Sequence, residues 1–301
     1  MEQFSYQIGV GEEERLDKWL SSSVPDLSRS YIQKCIKEGQ VLVNGRPCKA
    51  SYQLRVDDEI VFQIPEVVEP AIEAENIPLS VLYEDEDVLV VDKPKGMVVH
   101  PAPGHYSGTL VNAVLYHCKG QLSGINGVLR PGIVHRIDRD TTGSLIICKN
   151  DLSHQAIAAQ LKEHSLNRSY RAVVHGVLKE DEGTVDAPVG RDERDRKRMA
   201  VNEKHGREAV THYHVLERFR EYTYIECRLE TGRTHQIRVH MTSIGHPLLG
   251  DEVYGQRKSS FHLQGQTLHA YVLGFIHPKT QEYMEVTAPL PAYFTHLLEV
   301  L

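Results

Sequence analysis

Several features that mark large classes of protein are scarce or missing in this 301-residue sequence. Its five cysteines are odd in number and form no C-x-x-C pair. We therefore expect no disulfide framework and no structural zinc site, and a reducing cytoplasm is the compartment that fits. No run approaches ~18 consecutive apolar residues, the length of a membrane-spanning helix, so no membrane partner is expected. The chain opens without a basic stretch followed by an apolar one, so we expect no secretory signal.

Motifs for nucleotides, cofactors and nucleophilic triads are also missing. There is no G-x-G-x-x-G after a first strand, no G-x-x-x-x-G-K-[ST] and no G-x-S-x-G. His235 and His240 are candidate metal ligands by residue type, but a spacing of five places them on different faces of a helix. No cysteine or carboxylate completes a ligand set around them. The sequence therefore predicts neither a cofactor nor a metal.

The charges are unevenly distributed. Apolar residues make up 41% and charged residues 25%, the balance of a globular chain. The net charge of −7 includes eight acidic residues between 66 and 87, where there is no lysine or arginine. Residues 28–49 and 191–207 are instead locally basic. Local fields rather than the net charge steer a polyanion, although a single basic run is usually only a solvated surface.

The pattern of apolar residues and turns predicts two domains. Residues 12–65 read as a compact unit with two short helices, the second capped by Ser28, followed by strands. Residues 66–78 are acidic, contain prolines and read as a linker. Residues 79–301 contain many strands and few helices. This pattern favours an α+β fold with a mixed, mostly antiparallel sheet flanked by helices, joined to a small α/β N-terminal domain.

The densest group of chemically active side chains lies in residues 130–143. His135, Arg136, Asp138, Arg139 and Asp140 fall in a predicted loop that leads into a buried strand. Loops held by strands are where catalytic groups are often placed. The alternative interpretation is a salt-bridged surface loop.

A second group lies in residues 229–240. We expect Thr234 to cap a helix that runs to about Ser243. A helix start surrounded by Arg233, His235 and Arg238 favours an anion, either a phosphate or a carboxylate. The alternative is an ordinary basic helix.

Taken together, these segments resemble the RluA/RluD-type RNA pseudouridine synthases. Residues 135–143, His-Arg-Ile-Asp-x-x-Thr-Thr-Gly, match the family's His-Arg-Leu-Asp-x-x-Thr-Ser-Gly signature with two conservative departures. Residues 93–96 (Lys-Pro-x-Gly) and 232–238 (Gly-Arg-Thr-His-Gln-Ile-Arg) match two further motifs. Residues 250–255 and 268–270 sit where later family motifs fall. The matching segments occur in the family's order from about residue 79 to 290.

The N-terminal unit is similar to the S-four-type RNA-binding domain. The likeness rests on residues 15–20 (Arg-Leu-Asp-Lys-Trp-Leu), 28–30 (Ser-Arg-Ser) and 41–45 (Val-Leu-Val-Asn-Gly). This pairing of domains is typical of family members that act on large-subunit ribosomal RNA. A basic unit of this kind would bind phosphates without reading sequence. The basic residues proposed for that contact are Arg29, Lys34, Lys37 and Arg46.

The resemblance implies an isomerase that converts specific uridines in RNA to pseudouridine, and it implies roles for particular residues. Asp138 stands at the catalytic aspartate, Tyr170 at the active-site tyrosine and Arg238 at the arginine that pairs with the aspartate. Arg136 stands at the residue that fills the gap left by a flipped nucleotide, and we expect Arg233 to bind substrate as well. The family acts mostly as monomers, and a monomer is expected here, although the sequence itself leaves the oligomeric state open.

The implied chemistry suits these residue types. Isomerisation breaks a nitrogen–carbon bond and makes a carbon–carbon bond at one sugar carbon, so it requires no redox cofactor. One ionised carboxylate suffices as nucleophile or base, and an opposite charge within ~4–6 Å favours that ionised form. Tyr170 could stack on the uracil or act as a base. Stacking is favoured because tyrosine is a weak base at neutral pH.

Two other functions remain as alternatives. The first is a non-catalytic RNA-binding or ribosome-assembly factor on the same fold, which the basic N-terminal unit would serve. The second is a glycoside hydrolase that uses Asp138 and Asp140. Such an enzyme needs carboxyl groups ~5–9.5 Å apart across a sugar cleft. A chain with one tryptophan also lacks the aromatic character common to sugar clefts.

Overall fold

The computed structural model describes residues 2–25, 27–64, 72–101, 105–125, 127, 130–195, 198–255 and 261–301. The chain divides into two compact units, Met1–Pro70 and Ala71–Leu301. Residues 66–71 of the predicted linker lie outside the described residues. Residues 72–78 have no regular secondary structure, but Ile72 packs against the core of the second unit. No helix in the described parts of the chain is long and apolar enough to cross a membrane.

The first unit packs two helices against a small antiparallel sheet. Its strands are β1 (Glu2–Gln7), β2 (Val41–Val43), β3 (Arg46–Pro47) and β4 (Glu59–Ile64), in the order β1-β4-β2-β3. Its helices are α1 (Leu16–Ser23) and α2 (Arg29–Lys37). Strand β1 pairs with β4 along its whole length, and the sequence pattern did not predict it. Ser28 caps α2 as predicted, because its hydroxyl accepts the backbone N–H of Tyr31.

The apolar spacing of the two helices explains the core of this unit. Leu16, Trp19 and Leu20 recur at i, i+3 and i+4 on α1, and all three are buried. Ile32 and Ile36 on α2 complete the same cluster, into which Phe62 of β4 also packs. The opposite face of α2 carries exposed charged residues. The amphipathic pattern therefore fixes which side of α2 faces solvent.

The second unit is built around one large sheet. Its strands are β5 (Ser80–Glu84), β6 (Val88–Lys93), β7 (Thr142–Cys148), β8 (Asn167–His175), β9 (Glu182–Asp186), β10 (Val189–Arg191), β11 (Met199–Val201), β12 (Val210–Arg218), β13 (Tyr222–Leu229), β14 (Leu268–Ile276) and β15 (Tyr283–Thr287). Its helices are α3 (Leu110–His117), α4 (Asp151–Lys162), α5 (Gln236–Ser243) and α6 (Ala292–Val300). Strands β10 and β11 form a separate antiparallel pair that overlaps the first part of the basic run 191–207.

The strand order places late strands between early ones. Within the described residues the path is β5-β6-β7-β14-β8-β13-β12-β9, with β15 on β14. All of these pairs are antiparallel except β7 with β14. At that parallel pair Gly143 adopts φ +107°, and a Cβ there would collide with the backbone of Ala270. The mixed, mostly antiparallel α+β fold predicted from the sequence is confirmed.

Candidate active site

The loop that carries Asp138 is tied to the sheet on both sides. Ile137 is 6% exposed and packs in the main core, which leaves Asp138 at the surface of a cleft. The Nε2 of His135 accepts the backbone N–H of Ile146 on β7 at 3.1 Å. The loop next to Asp138 is thus anchored by one apolar side chain and one imidazole ring, and Asp138 itself is 18% exposed.

A fully buried lysine holds the other side of this loop. The Nζ of Lys93 donates to the carbonyl oxygens of Pro94, Met97 and Arg139, each at 2.9 Å. The Arg139 carbonyl also accepts the N–H of Gly96 at 3.0 Å. Burial lowers the pKa of Lys93 to about 7, although Asp140 and Asp138 act in the opposite direction. The sequence singled out residues 93–96 as a motif, and the structure shows that they clamp the backbone next to Asp138.

Arg238 connects Asp138 to a second, fully buried carboxylate. Its Nη1 donates to Oδ2 of Asp138 at 2.9 Å. Its Nε and Nη2 donate to the two oxygens of Asp251 at 2.7 and 2.9 Å. Asp251 in turn accepts the backbone N–H groups of Val253 and Tyr254. Burial opposes the charge of Arg238, yet the bonds from Asp251 and then Asp138 raise its pKa.

The helix that carries Arg238 does not begin where the sequence predicted. Thr234 was expected as its cap, but α5 begins at Gln236, and His235 occupies the N-cap with a left-handed φ of 57°. The Gln236 side chain closes this turn, because its Oε1 accepts the Thr231 hydroxyl and the Arg233 N–H. Asp138 is therefore held by a guanidinium rather than by the free N–H groups of a helix start.

His235 and Tyr254 complete the surroundings of Asp138. The Nδ1 of His235 lies 2.8 Å from the Tyr254 hydroxyl, and its Nε2 lies 3.7 Å from Oδ1 of Asp138. The Tyr254 ring lies 5.0 Å from the guanidinium carbon of Arg238. Sequence reasoning gave Asp251 and Tyr254 no role. The available signal was the segment 250–255, but sequence spacing alone does not reveal the partners of its side chains.

Tyr170 lies on β8 and faces the same region. It is 8% exposed and lines a small hollow with Arg136, Asp138, Leu229 and Leu268. Burial raises the pKa of Tyr170, while the nearby Arg168 acts against that shift. The ring is therefore neutral over the physiological range.

Arg136 and Arg233 lie at the rim of the site. Arg136 is exposed, lines both the small hollow of about 60 Å³ and the adjoining cleft of about 720 Å³, and reaches His100 Nε2 at 3.4 Å. Arg233 lines the small hollow and donates through Nε to the Glu208 carbonyl at 2.9 Å. Asp140, the second carboxylate considered in the sequence, is bound by Arg139 through two 3.0 Å hydrogen bonds.

The four basic residues predicted in the N-terminal unit all belong to the first unit. Lys34 and Lys37 are exposed on α2, and Arg46 is exposed on β3. Arg29 is half exposed but fixed by the buried carboxylate of Asp17, to which its Nη2 donates at 2.9 Å. Arg15 and Gln33 bind the same carboxylate. Burial opposes ionisation of Asp17, but these hydrogen bonds hold its pKa well below the ordinary value.

Among the described residues, one group of carboxylates and histidine could meet around a cation, formed by Asp85, Asp87 and His277. The Nδ1 of His277 accepts two backbone N–H groups, so its Nε2 carries the proton and donates to Asp85 at 2.7 Å. Asp85 also accepts the Tyr83 hydroxyl and two backbone N–H groups. These contacts describe an anchored turn rather than a set of open ligands.

Comparison with known families identifies the class of protein. Residues 87–243 match the family described as RNA pseudouridylate synthase, and residues 14–60 match the S4 domain. The chain belongs to the RNA pseudouridylate synthase family, and it is an RNA pseudouridine synthase with an N-terminal S4 domain. The predicted family, isomerase activity and S-four-type domain are confirmed.

Individual relatives match over almost their whole length. The chain is 55% identical over 288 residues to the uncharacterized RNA pseudouridine synthase YlyB of Bacillus subtilis, covering 96% of this chain and 94% of that protein. It is 47% identical over 298 residues to ribosomal large subunit pseudouridine synthase D of Zymomonas mobilis, covering 95% and 93%. The solved structure of human RNA pseudouridylate synthase domain containing 1 matches with a TM-score of 0.58 at 26% identity, covering 72% of this chain and 86% of that one.

Proposed function

We propose that this enzyme isomerises uridines in large-subunit ribosomal RNA and that Asp138 supplies the reacting carboxylate without a cofactor. The observation that carries the proposal is that Asp138 is held by a hydrogen bond to one of its oxygens and still faces the cleft. Oδ2 is bound by Arg238 at 2.9 Å, while the side chain remains open to the cleft. The named relatives that act on the ribosomal large subunit support the choice of RNA.

The proposed reaction requires one reactive carboxylate from the protein and no cofactor. The glycosidic nitrogen–carbon bond breaks, the uracil turns, and a carbon–carbon bond forms at the same sugar carbon. An ionised Asp138 can act at the sugar as nucleophile or base. Arg238 places a positive charge 2.9 Å from Oδ2 of Asp138, and Asp251 keeps the guanidinium in place when the site loses water.

Tyr170 is proposed to stack on the uracil rather than to accept a proton. Burial raises its pKa, so the phenolate form needed for a base is rarer than in water. Its ring also lines the hollow beside Asp138. Stacking against an aromatic ring would hold the detached uracil while it turns.

Entry of the base is proposed to involve movement at the rim. The hollow beside Tyr170 is small, about 60 Å³, and shares Arg136 with the adjoining cleft. Side chains there would shift as the nucleotide leaves its stack. Arg136 is proposed to move, because it is exposed and its one polar side-chain contact in the described structure is the 3.4 Å approach to His100. Arg233 is proposed to bind a phosphate at the same rim.

The N-terminal unit, residues 12–65, is proposed to bind RNA phosphates through Arg29, Lys34, Lys37 and Arg46. Residues 66–78 would link it to the catalytic domain, residues 79–301. Asp17 supports the role of Arg29, because a buried carboxylate fixes one edge of that guanidinium while half of the side chain remains exposed. We place the enzyme in the cytoplasm as a monomer.

The direct test uses purified protein and ribosomal RNA transcribed without modifications. Wild type should form pseudouridine at defined positions of large-subunit fragments, mapped chemically, and should leave small-subunit fragments unmodified. Asp138→Asn should abolish product formation while RNA affinity stays within about threefold, because a single neutral substitution removes no phosphate contact. Asp181→Asn, which alters an exposed carboxylate paired with Arg218, is the matched control and should retain activity.

Two outcomes would contradict the proposal. Absence of pseudouridine on every large-subunit fragment would overturn the substrate, and activity of Asp138→Asn would overturn the role of Asp138. The non-catalytic alternative is tested separately in cells. If Asp138→Asn corrected every defect of a deletion strain, RNA binding rather than isomerisation would be the cellular function.

A further inference from the structure

His235 occupies an unusual backbone position beside Asp138. It is a non-glycine residue with φ 57° and ψ 21°, at the N-cap of α5. A β-carbon makes this left-handed conformation costly, and such residues cluster at functional sites. The side chain is 22% exposed and lines both the small hollow and the larger cleft. The strained backbone therefore carries an imidazole to the place where substrate must enter.

The contacts of Tyr254 assign the proton on this imidazole. The Tyr254 oxygen accepts the backbone N–H of Met199 at 2.9 Å, a bond in which the nitrogen can only be the donor. Among the described residues, Nδ1 of His235, at 2.8 Å, is the acceptor within reach of its own O–H, and we infer that the O–H is directed there. Nδ1 is therefore an acceptor, and the single proton of the neutral ring lies on Nε2. Burial also lowers the pKa of His235, which agrees with a neutral ring, although Asp138 opposes that shift.

The protonated nitrogen faces the oxygen of Asp138 that Arg238 leaves open. Arg238 Nη1 binds Oδ2, whereas Oδ1 lies 3.7 Å from Nε2 of His235. That distance is too long for a hydrogen bond, and a movement of less than ~1 Å would close it. The two ends of the carboxylate thus face two different donors, one fixed and one within reach.

We propose that His235 is a positioning residue for the isomerisation: its Nε2–H, directed by the Tyr254 hydroxyl, restrains Oδ1 of Asp138 and aims it at the sugar carbon. The inference rests on the proposed function, because it assigns the reacting carboxylate to Asp138. It extends that function by adding a second donor to Asp138. Arg238, fixed by Asp251, holds Oδ2, and His235, oriented by Tyr254, would hold Oδ1.

A positioning role predicts losses in turnover rather than in binding. His235→Ala should lower kcat by about 10²-fold, the usual effect of a misplaced reacting group, with KM changed less than about threefold. His235→Gln retains an N–H donor at the position of Nε2 and should recover at least about tenfold of that loss. His296→Ala removes an imidazole that is 75% exposed on α6 and serves as the control with wild-type kcat.

Tyr254→Phe tests the contact between Tyr254 and His235, because it removes the hydroxyl that places the imidazole proton of His235 on Nε2. It should lower kcat in the wild-type background and have less than about a twofold effect in the His235→Ala background. Equal losses in both backgrounds, or equal kcat for His235→Ala and His235→Gln, would overturn the inference. These ratios are measured against active wild type, so they are distinct from a failure of the proposed substrate.

A measurement without RNA checks the same point. In long-range ¹H–¹⁵N spectra of the full-length protein, the imidazole signal that is lost in His235→Gln identifies His235. That signal should show the neutral form with the proton on Nε2. Tyr254→Phe should shift that ring toward the other neutral form. An Nδ1–H ring in wild type would overturn the assignment whether or not the protein is active on the RNA chosen.

Discussion

Asp138 and Asp251 share the single guanidinium group of Arg238, Asp138 through one hydrogen bond and Asp251 through two. Asp251 is completely buried, while Asp138 is 18% exposed to the cleft. The buried carboxylate fixes the orientation of the arginine, and the arginine then presents its remaining edge to the carboxylate that faces substrate.

Removal of the Asp251 charge should impair both folding and catalysis. Asp251→Asn leaves the buried guanidinium without its main counter-charge, and loss of one partner of a buried pair costs about 3–5 kcal/mol. We expect a comparable fall in the free energy of unfolding, measured with urea, and a lower kcat. Asp181→Asn removes an exposed aspartate–arginine pair and should cost less than about 1 kcal/mol. If the two variants lowered the free energy of unfolding and kcat equally, the buried Arg238–Asp251 pair would contribute no more than an exposed pair.

Variants of Tyr170 should separate stacking from proton transfer. Tyr170→Phe keeps the ring and should retain activity within about fivefold, whereas Tyr170→Leu removes a stacking interaction worth about 1–3 kcal/mol. The leucine variant should therefore lose about 5- to 150-fold in kcat/KM. These values come from product formation on a single RNA fragment. A phenylalanine variant as inactive as the leucine variant would show that the hydroxyl is required and that stacking alone is insufficient.

The exposed lysines of α2 should contribute to RNA affinity in a salt-dependent way. On single-stranded RNA, each phosphate that a protein neutralises makes the slope of log K for binding against log salt concentration more negative by about 0.7. Lys37→Ala should therefore reduce both affinity and steepness, measured by filter binding at several salt concentrations. Lys279→Ala removes a lysine that is 66% exposed in the second unit and paired with Glu86, and it should leave the slope unchanged. An unchanged slope in Lys37→Ala would remove α2 from the RNA-binding surface.

His135 should make the fold sensitive to acid. Burial, assisted by Arg168, lowers the pKa of His135 to about 3, and its Nε2 accepts the Ile146 N–H only when unprotonated. Below the unfolded value near 6.5 the unfolded chain binds a proton that the folded chain does not, so stability falls as pH falls from about 6.5 toward 3. At pH 5 the loss should be about 2 kcal/mol relative to pH 7.

His135→Gln supplies the control for that titration. Glutamine can accept the same N–H through its side-chain oxygen but does not titrate. Urea unfolding between pH 7 and 5 should therefore depend on pH less steeply in the variant by about one proton. Parallel curves for wild type and variant would contradict this prediction, because they would show that the pKa of His135 is the same in the folded and unfolded states.

Local sequence signals were sufficient for part of the fold. Ser28 predicted the start of α2, and the apolar spacing of α1 predicted its buried face. Strand β1 was missed because its stabilisation comes from pairing with β4, more than fifty residues further along the chain. The start of α5 was misplaced because a side chain inside the helix, Gln236, closes the preceding turn and leaves Thr234 without a capping role.

In the candidate site too, the sequence motifs named some residues, while other contacts are seen only in the structure. The residues around Asp138 and Arg238 could be named from motifs, and the structure places them in contact. The roles of the named residues stay predictions. The contacts of Asp251, Tyr254 and Lys93 depend on pairs that lie far apart in sequence, such as Lys93 with the Arg139 carbonyl. Turn and periodicity rules describe neighbours along the chain, so they carry no information about these contacts.

The position of β14 determines when this protein can become active during its own synthesis. Strand β14 lies between β7, which follows the Asp138 loop, and β8, which carries Tyr170. Until Leu268–Ile276 emerges from the ribosome, the middle of the large sheet is unfilled and the two segments cannot take their final places. The first unit needs no residue beyond Ile64 for its sheet and can fold much earlier. A nascent chain would therefore acquire its S4 domain well before it could modify any nucleotide.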